Sequence, residues 1–547
     1  MNDFERNTNT MQSVKNSVPT VTVSKNTSFI VCIGLFLLTF LTRIYSACEY
    51  LYDWDSIQLA IAIDNFNILA HKPHPPGYIF SVWSAKLLSL FLSPNNAYIL
   101  LAIIATALTS IFIWIIAKRF FTPIIAFGLS LFWIFSPIVW FWSSIAATYA
   151  LSPFFVVLMI EFAFRFEESD NHALWAFLLG FIMGIASGFR QDMIIFCGIP
   201  LVWFLISKRK LGLRIFLFAI VGFIIPFAIW FFASSANCGG VGKYLDIVKK
   251  QFFWAAPEKS DLRAYFRGLN SRINRLVVFL LMSSGIAVIL ILIPFFRHPI
   301  AVFKDIRSNL RGTIGMMLLF IIFPLAFFFF VSIDKTGYPL LILPGIIILV
   351  TLWYYKMIKL EKRHLISVII IIIAVFNSII TIFLPESNYE RHYPRNGNLR
   401  QTYDCHISPA TLSALRGYEN RCSKILELQK QFIPNNTILV CGPYYDVFSL
   451  RHAQYFFKDY ISICISDSSS GYDYVKGFEI RDRYYESEIR IPEKIENLII
   501  IKGNLKKENI ENGDIIKYFR IIDVDVAIVE IEDSVKYGDF TFVLDSM

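Results

Sequence analysis

Long apolar runs recur along most of this chain, and they limit its possible folds more than any other feature. A helix of about 20 apolar residues crosses a bilayer, and the first such run is 29–47. A signal peptide is the alternative for this run, but the polar segment 1–28 before it is long for one. Further spans are predicted at 97–117, 123–142, 147–165, 173–189, 193–207, 213–235, 276–296, 313–332, 337–355 and 365–384. We therefore expect a polytopic α-helical membrane protein with about 11 spans.

Composition agrees with this fold class and excludes soluble, disordered and fibrous proteins. Of the 547 residues, 56% are hydrophobic and 17% are charged, whereas about 25% are charged in an average globular protein. Residues 1–384 carry 31 Lys and Arg against 17 Asp and Glu, and residues 385–547 carry 20 against 25. The basic part is the apolar part, so its charge indicates membrane topology. The soluble part is acidic, so nucleic acid is not expected as a partner.

Basic clusters between the spans predict which loops face the cytoplasm. Four clusters are placed there by the positive-inside rule, at 118–119, 208–214, 297–311 and 356–363. They can share one side only if the short apolar run 77–92 does not cross, so we expect it to be an interfacial helix on the outer surface. The tail 1–28 is then cytoplasmic. The first loop, 48–96, and everything after residue 384 are then extracytoplasmic.

The chain changes character after residue 384, where short β-rich runs alternate with turn residues. The predicted elements are strands at Thr437–Cys441, Tyr460–Ile465, Asn497–Lys502 and Val524–Glu530, and a helix at Tyr445–Phe457. The first two strands with the helix between them form a βαβ-like unit. We therefore expect a small extracytoplasmic α/β domain over residues 385–547.

The densest polar segment near the membrane follows the first span. It contains Asp53 and Asp55, and a proline-rich stretch with His71 and His74 follows an amphipathic segment. A carboxylate at the membrane–water boundary can be partly desolvated and can serve as a general base or a metal ligand. The alternative is a solvated loop whose acids cap a helix. The four side chains could bind a divalent metal, but prolines interrupt the histidine spacing, so structural histidines are favoured.

An acidic motif in the first outer loop, followed by an amphipathic helix and His-Pro-Pro at 74–76, resembles the GT-C glycosyltransferases. The resemblance is to the protein O-mannosyltransferase and aminoarabinose-transferase-like family, glycosyltransferase family 39, and it covers about residues 29–384. It implies that a sugar moves from a polyprenyl-phosphate carrier to an acceptor outside the cytoplasm, with inversion. The family's usual acidic pair is Asp-Glu, where this chain has Asp55-Ser56. The resemblance assigns the base to Asp55, and Asp53 could share or take that role.

Cations at the predicted outer membrane edge are the candidates for binding the donor phosphate. Arg190 and Lys335 resemble the family's cations near the lipid phosphate, where a fixed positive charge stabilises the departing anion. Arg267 lies on a probable outer-loop helix with other arginines and could bind the same headgroup. The alternatives are an ion pair between Arg190 and Asp192 at a helix end, and headgroup anchoring for Lys335 and Arg267.

Aromatic residues and His74 complete the candidate site. Tyr338, in a segment that resembles the family's Tyr-x-x-Pro-x-x-Pro-like sequence, is assigned with Tyr149 and His74 to the pocket for the sugar or lipid. Glu161 lies within a predicted span, where an acid often indicates function. Arg165 follows one turn later, so an ion pair is the simpler expectation.

The residues and the resemblance together predict a glycosyltransferase of the bacterial cytoplasmic membrane. Its partners would be a polyprenyl-phosphate-linked sugar, membrane lipids and a glycan, lipid or protein acceptor. An oligosaccharyltransferase or polysaccharide ligase of the same superfamily is the alternative enzyme. A transporter or flippase is the non-enzymatic alternative, and it would predict broken helices at mid-membrane and paired repeats. Neither is evident in the sequence.

Overall fold

The protein is represented by a computed structural model. It describes residues 24–255, 262–284, 312–330, 336–358, 360–383, 411–441, 448–464, 488–502, 505, 507–521, 524–537 and 540–545. Its helices are α1 (Lys25–Ser46), α2 (Trp54–Asp64), α3 (Ile79–Leu88), α4 (Pro94–Ala117), α5 (Pro123–Ile134), α6 (Pro137–Ser144), α7 (Leu151–Glu168), α8 (His172–Phe189), α9 (Met193–Ser207), α10 (Arg214–Asn237), α11 (Val241–Ala255), α12 (Leu262–Ser284), α13 (Gly312–Phe330), α14 (Leu343–Met357), α15 (His364–Phe383), α16 (Leu412–Leu426) and α17 (Leu450–Phe456).

Seven helices in the described part of the chain are long and apolar enough to cross a membrane. They are α1, α4, α8, α10, α13, α15 and the helix Tyr338–Met357, which joins a 3-10 turn to α14. The chain is therefore a multi-pass membrane protein. Two other predicted spans are helices but are not among these seven. The span 147–165 corresponds to α7, which carries four charged residues, and the span 193–207 corresponds to α9, which has only 15 residues. The predicted span 276–296 is described only as far as Ser284.

The span predicted at 123–142 is not one continuous helix, and in this respect the prediction was wrong. Helices α5 and α6 are bent by 54° at the break between Ile134 and Pro137, and together they would make an eighth span. Proline has no backbone N–H to continue the helical hydrogen bonds. The broken helix that the sequence did not indicate is therefore present.

Helices α8 and α10 approach each other closely because glycines lie at their contact. A Cβ atom at Gly180 would lie 1.9 Å from the Ala219 carbonyl oxygen, and one at Gly222 would lie 2.1 Å from the Phe177 carbonyl oxygen. Small residues allow helix backbones in a membrane to pack at such distances. These two helices therefore form a closely packed pair, and the loop after α8 carries Arg190.

Two sheets form the core of the C-terminal part. The strands are β1 (Thr437–Cys441), β2 (Ile461–Cys464), β3 (Glu488–Pro492), β4 (Asn497–Lys502), β5 (Ile510–Glu511), β6 (Asp514–Ile521), β7 (Val524–Glu530), β8 (Ser534–Tyr537) and β9 (Phe540–Asp545). One sheet has the order β2-β1-β4-β7-β6, with β1 parallel to both β2 and β4 and with β7 and β6 antiparallel. The other has the order β3-β9-β8-β5.

Alternate residues of the five-stranded sheet face opposite sides, as the two-residue period of a strand requires. Ile438 and Val440 point towards the core that includes Phe542 of the four-stranded sheet. Leu439 and Cys441 point towards helical residues. Both faces are buried, so these strands read as continuous apolar runs in the sequence.

Most predicted elements of this part are confirmed. Strands β1, β4 and β7 match their predicted bounds, and β1 and β2 pair in parallel as a βαβ unit requires. Helix α17 is shorter than its prediction, of which residues 445–447 lie outside the described residues.

The chain divides into two compact units. Residues 24–47 and the described residues of 78–386 belong to the membrane unit. Residues 48–77 and the described residues of 414–547 belong to the second, which we name the sheet unit. Residues 48–77, which contain Asp53 and Asp55 and which we name the acidic loop, are therefore in the same compact unit as the two sheets, although the helix before them, α1, belongs to the membrane unit.

We expect Gly222→Ala to lower the free energy of unfolding by about 1–3 kcal/mol, because the added methyl group must push α8 and α10 apart. Denaturant or thermal unfolding of the purified protein in detergent would measure the loss. Gly34→Ala is the matched control, since Gly34 is helical in α1 and a Cβ there meets nothing within 4 Å. Equal stability of the two variants would contradict the close approach.

Candidate active site

The first of the two acidic residues, Asp53, caps a helix. Its Oδ1 accepts hydrogen bonds from the backbone N–H of Ser56 at 2.9 Å and from the Ser56 hydroxyl at 3.0 Å. This is the usual role of an aspartate at the N-cap of a helix, here α2. The helix-capping alternative therefore describes Asp53 and leaves Asp55 for other roles.

Asp55 lies in the first turn of α2, and its side chain is 27% exposed. Its Oδ1 is 3.7 Å from Nδ1 of His74. The N-terminus of a helix stabilises negative charge through the unpaired backbone N–H groups of its first turn. Asp55 therefore combines partial exposure with surroundings that favour the ionised carboxylate.

His74 is oriented by Gln58, which follows Asp55 by three residues and shares its helix face. Nδ1 of His74 lies 3.0 Å from Oε1 of Gln58. An amide oxygen can only accept, so the Nδ1–H of His74 donates this bond. The amide of Gln58 is buried, so it fixes the imidazole ring next to Asp55. Gln58 was not among the predicted site residues.

His71 is a buried residue of a tight turn. Asn67 and Lys72 exchange backbone hydrogen bonds of 2.7 and 2.8 Å that close this turn. Burial lowers the pKa of His71 to about 3, with further lowering by His74 and Arg451. His71 is therefore neutral at pH 7.

The possible metal set is not assembled by these side chains. Within the described residues, no group of three or more His, Cys, Asp and Glu side chains is placed to hold a metal ion. Asp53 caps α2 and His74 bonds to Gln58, so each has a structural partner instead.

Arg190 follows α8 in the membrane unit and is only 3% exposed. Its Nη2 donates to Asp192 Oδ2 at 2.6 Å and its Nε to Asp192 Oδ1 at 3.2 Å. Its Nη1 donates to the Thr148 hydroxyl at 3.0 Å. The predicted ion pair with Asp192 is confirmed. A guanidinium has five N–H groups, and these bonds use three.

Tyrosine rings surround this guanidinium. Its carbon lies 4.6 Å from the ring centre of Tyr149, 5.6 Å from that of Tyr338 and 5.8 Å from that of Tyr78, within the range of cation–π attraction. A Cβ at Gly337 would lie 2.5 Å from the Tyr149 ring, so only glycine allows this segment to pack here. We name Arg190, Asp192, Thr148 and the three tyrosines the arginine–tyrosine cluster.

This cluster unites three predicted residues, Arg190, Tyr149 and Tyr338, with ones that the sequence analysis missed. Thr148 precedes Tyr149 directly, and a hydroxyl group next to a candidate residue is the only signal that could have found it. Lys335 lies outside the described residues. Arg267 belongs to α12, but its side chain lies outside what the structure describes.

Glu161 is part of an ion-pair network. Its carboxylate accepts from Arg165 Nε at 2.7 Å and from Arg119 Nη2 at 2.8 Å. The predicted pair with Arg165 is confirmed, and Arg119 is an additional partner. The acid within the membrane unit is therefore neutralised by two cations.

Comparison with known proteins found a family match over part of the chain and solved structures with a similar fold. Residues 73–231 match the family described as dolichyl-phosphate-mannose-protein mannosyltransferase. No curated protein matches. The fold is similar to crystal structures of ArnT from Cupriavidus metallidurans, bound to undecaprenyl phosphate (TM-score 0.55) and in the apo state (0.54). Each ArnT structure is 13% identical in sequence to this chain, and each match covers 92% of this chain and 98% of the ArnT chain.

The crystal structure of an oligosaccharyltransferase from Archaeoglobus fulgidus in the apo form is also similar, with 10% sequence identity and a TM-score of 0.45. The match covers 87% of this chain and 70% of the oligosaccharyltransferase chain. The likeness in fold is to the two ArnT structures. The predicted fold, a polytopic α-helical membrane protein with a C-terminal domain, is confirmed, and the family match over residues 73–231 agrees with the resemblance that the sequence predicted.

The two buried histidines of the sheet unit predict a loss of stability in acid. Burial lowers the pKa of both His71 and His452 to about 3, from an ordinary value of 6.5. Between these values the unfolded chain binds protons that the folded chain does not, so stability falls as the pH drops below about 6.5, by up to ~1.4 kcal/mol per pH unit for each histidine. Amide exchange in β1 and β4, corrected for intrinsic rates, would measure this loss of stability as a function of pH.

In the double variant His71→Gln/His452→Gln, stability should depend less steeply on pH. A pH dependence as steep as that of the wild-type protein would contradict the assignment.

Proposed function

We propose, on the premise that this chain has the GT-C fold, that it is a membrane glycosyltransferase. It transfers a sugar from a polyprenyl-phosphate carrier to an extracytoplasmic acceptor. The carrier class is supported by the ArnT relative that binds undecaprenyl phosphate and by the family name, which includes a lipid-phosphate-linked mannose. The observation that carries the proposal is the carboxylate of Asp55, which is partly exposed beside His74, whereas Asp53 is engaged as a helix cap.

Asp55 acts as the general base. Its carboxylate accepts the proton of an acceptor hydroxyl or amine, whose oxygen or nitrogen then attacks the anomeric carbon of the sugar. The bond from that carbon to the phosphate oxygen breaks, and polyprenyl phosphate leaves with the electron pair. Attack from the face opposite the phosphate inverts the anomeric configuration. The Nδ1–H of His74 donates to Gln58, and this bond fixes the imidazole ring 3.7 Å from the Asp55 carboxylate.

Arg190 stabilises the negative charge that develops on the leaving phosphate. A guanidinium fixed by Asp192 and Thr148 needs no reorganisation as the charge develops, which is the main requirement of electrostatic catalysis. Its two remaining N–H groups suit two phosphate oxygens. Tyr149 and Tyr338 line the same cluster and contact the carrier or the sugar. Lys335 and Arg267 remain predicted additional phosphate ligands.

The proposed topology places the N-terminal residues 1–28 in the cytoplasm and the membrane domain over 29–384. The C-terminal domain 385–547 is then extracytoplasmic, on the same side as the first loop. The positive-inside distribution of Lys and Arg supports this arrangement. We propose in addition that this membrane is the bacterial cytoplasmic membrane, a proposal supported by the Ile-, Phe- and Lys-rich composition.

We expect Asp55→Asn to reduce donor turnover by about a thousandfold or more, because an amide cannot accept the proton, and general-base contributions reach ~10⁴-fold. Release of undecaprenyl phosphate from undecaprenyl-phosphate-linked sugars would measure turnover. Asp53→Asn should retain most activity, since asparagine is also a good N-cap. Asp64→Asn, at the exposed end of the same helix, is the control for fold and expression. Full activity of Asp55→Asn would refute the base assignment.

We expect Arg190→Ala to weaken the binding of undecaprenyl phosphate by about tenfold or more, because charge-assisted hydrogen bonds to phosphate are strong ones. Arg190→Lys should be intermediate, since lysine keeps the charge but loses the two-pronged geometry. Equilibrium binding of the radiolabelled lipid would give both values. Arg214→Ala is the control, because Arg214 begins α10 on a predicted cytoplasmic loop. Unchanged affinity in Arg190→Ala would rule out the phosphate role.

A further inference from the structure

We propose that Arg451 is a positioning residue for the acidic loop, and that the sheet unit holds this loop at the carboxyl edge of its parallel strands. The inference rests on the proposed function, because it gives the sheet unit the task of placing Asp55. It also assigns a role to a domain whose sequence carries no catalytic signature.

Helix α16 holds the segment that precedes Asp55. The hydroxyl of Tyr418 donates to the Leu51 carbonyl oxygen at 2.5 Å, and its ring lies 4.7 Å from that of Tyr52. Oε1 of Glu419 accepts the backbone N–H of Glu49 at 2.8 Å. These contacts join residues three to six positions before Asp55 to one helix turn of the C-terminal domain. The entry to α2 is therefore fixed by side chains far away in sequence.

Arg451 holds the segment that follows α2. Its Nη2 donates to the Ala70 carbonyl oxygen at 3.0 Å, and its Nη1 donates to Gln454 Oε1 at 2.9 Å. The guanidinium carbon lies 5.7 Å from the ring centre of Trp54, the residue between the two aspartates. The side chain is 3% exposed. One arginine thus contacts both the start of α2 and the turn that carries His71.

The position of Arg451 in the fold explains why it can do this. Helix α17 follows β1, so its first turn lies at the carboxyl edge of the parallel strands. In doubly wound folds the crevice at this edge, where the strand order reverses, is where ligands bind. Here the strand order reverses at β1, because β2 lies on one side of it and β4 lies on the other. The edge that other α/β domains use for a ligand is used in this chain to hold its own acidic loop.

His452, the next residue, completes the contact. Its Nε2 lies 3.2 Å from the Tyr418 hydroxyl, and its Nδ1 lies 2.8 Å from the Ser449 hydroxyl at the start of α17. Both His452 and Tyr418 are buried. The Tyr418 hydroxyl donates its proton to the Leu51 carbonyl oxygen, so the Nε2–H of His452 donates to the Tyr418 oxygen. This hydrogen bond joins α16 to the first turn of α17.

Arg451→Leu, Arg451→Lys and the control Lys536→Ala would be compared in the full-length protein in detergent. Lys536 pairs with Glu511 in the same unit, on strands β8 and β5 of the four-stranded sheet. Amide exchange would be followed in the turn Asn67–Lys72 and in β1 and β4. Turnover of undecaprenyl-phosphate-linked sugars and the affinity for undecaprenyl phosphate would be measured in parallel.

We expect Arg451→Leu to speed exchange in the turn while β1 and β4 stay protected. Turnover should fall by about 10–100-fold, the effect of misplacing a reacting group by ~1 Å. Affinity for undecaprenyl phosphate should change by less than about twofold. The fall in turnover would then reflect a slower chemical step and not weaker binding of the lipid. Arg451→Lys should recover part of the turnover and part of the protection from exchange in the turn, since lysine keeps the charge and can still donate a hydrogen bond.

Unchanged exchange in the turn would overturn the inference. Exchange that rises equally in β1 and β4 would also overturn it, because Arg451 would then serve only the folding of the domain. If the wild-type protein turns over no donor while exchange in the turn responds to Arg451→Leu, the proposed function fails and the anchoring of the loop stands. The two proposals can therefore fail separately.

Discussion

A charged group that leaves water must find its partners inside the protein, and this requirement organises much of the structure. Arg43 at the end of α1 is fully buried, its Nε donates to the Ser143 hydroxyl at 2.8 Å, and it also donates to the Ile134 carbonyl. That carbonyl belongs to the last turn of α5, where helical partners are missing. The guanidinium lies 4.2 Å from the Trp140 ring centre. The break between α5 and α6 is therefore stabilised by a cation at a helix C-terminus.

The same requirement accounts for the partners of Arg190, to which we assign the donor phosphate. An isolated buried guanidinium would be very unfavourable, and Asp192 and Thr148 compensate for it. The ion pair that the sequence suggested as an alternative to phosphate binding is thus compatible with it. The pair holds the guanidinium in place, and the tyrosines around it exclude water. A structural ion pair and a binding site can be the same group of residues.

The sequence predicted elements well where one local pattern decides them. Strands β1, β4 and β7 were placed to the residue because they are short apolar runs between turn residues. The span at 123–142 was predicted as one helix because hydropathy averages over a proline, and the contacts of Arg43 at the break come from about a hundred residues away. Among the site residues, Arg190, Tyr149 and Tyr338 lie together as predicted for one site. Gln58 and Thr148 were missed, since a buried amide and a hydroxyl carry no signal of their own.

By itself, the sequence determined that this is a multi-pass membrane protein, where most spans and strands lie, and which acids and cations are candidates. Hydropathy and periodicity are properties of neighbouring residues, so they can be read without the fold. Only the tertiary structure decided that Asp53 caps a helix while Asp55 does not. It also decided that the acidic loop belongs with the sheets, through bonds such as that between Glu49 and Glu419, which are 370 positions apart. Such bonds depend on packing between distant segments, and no local pattern encodes them.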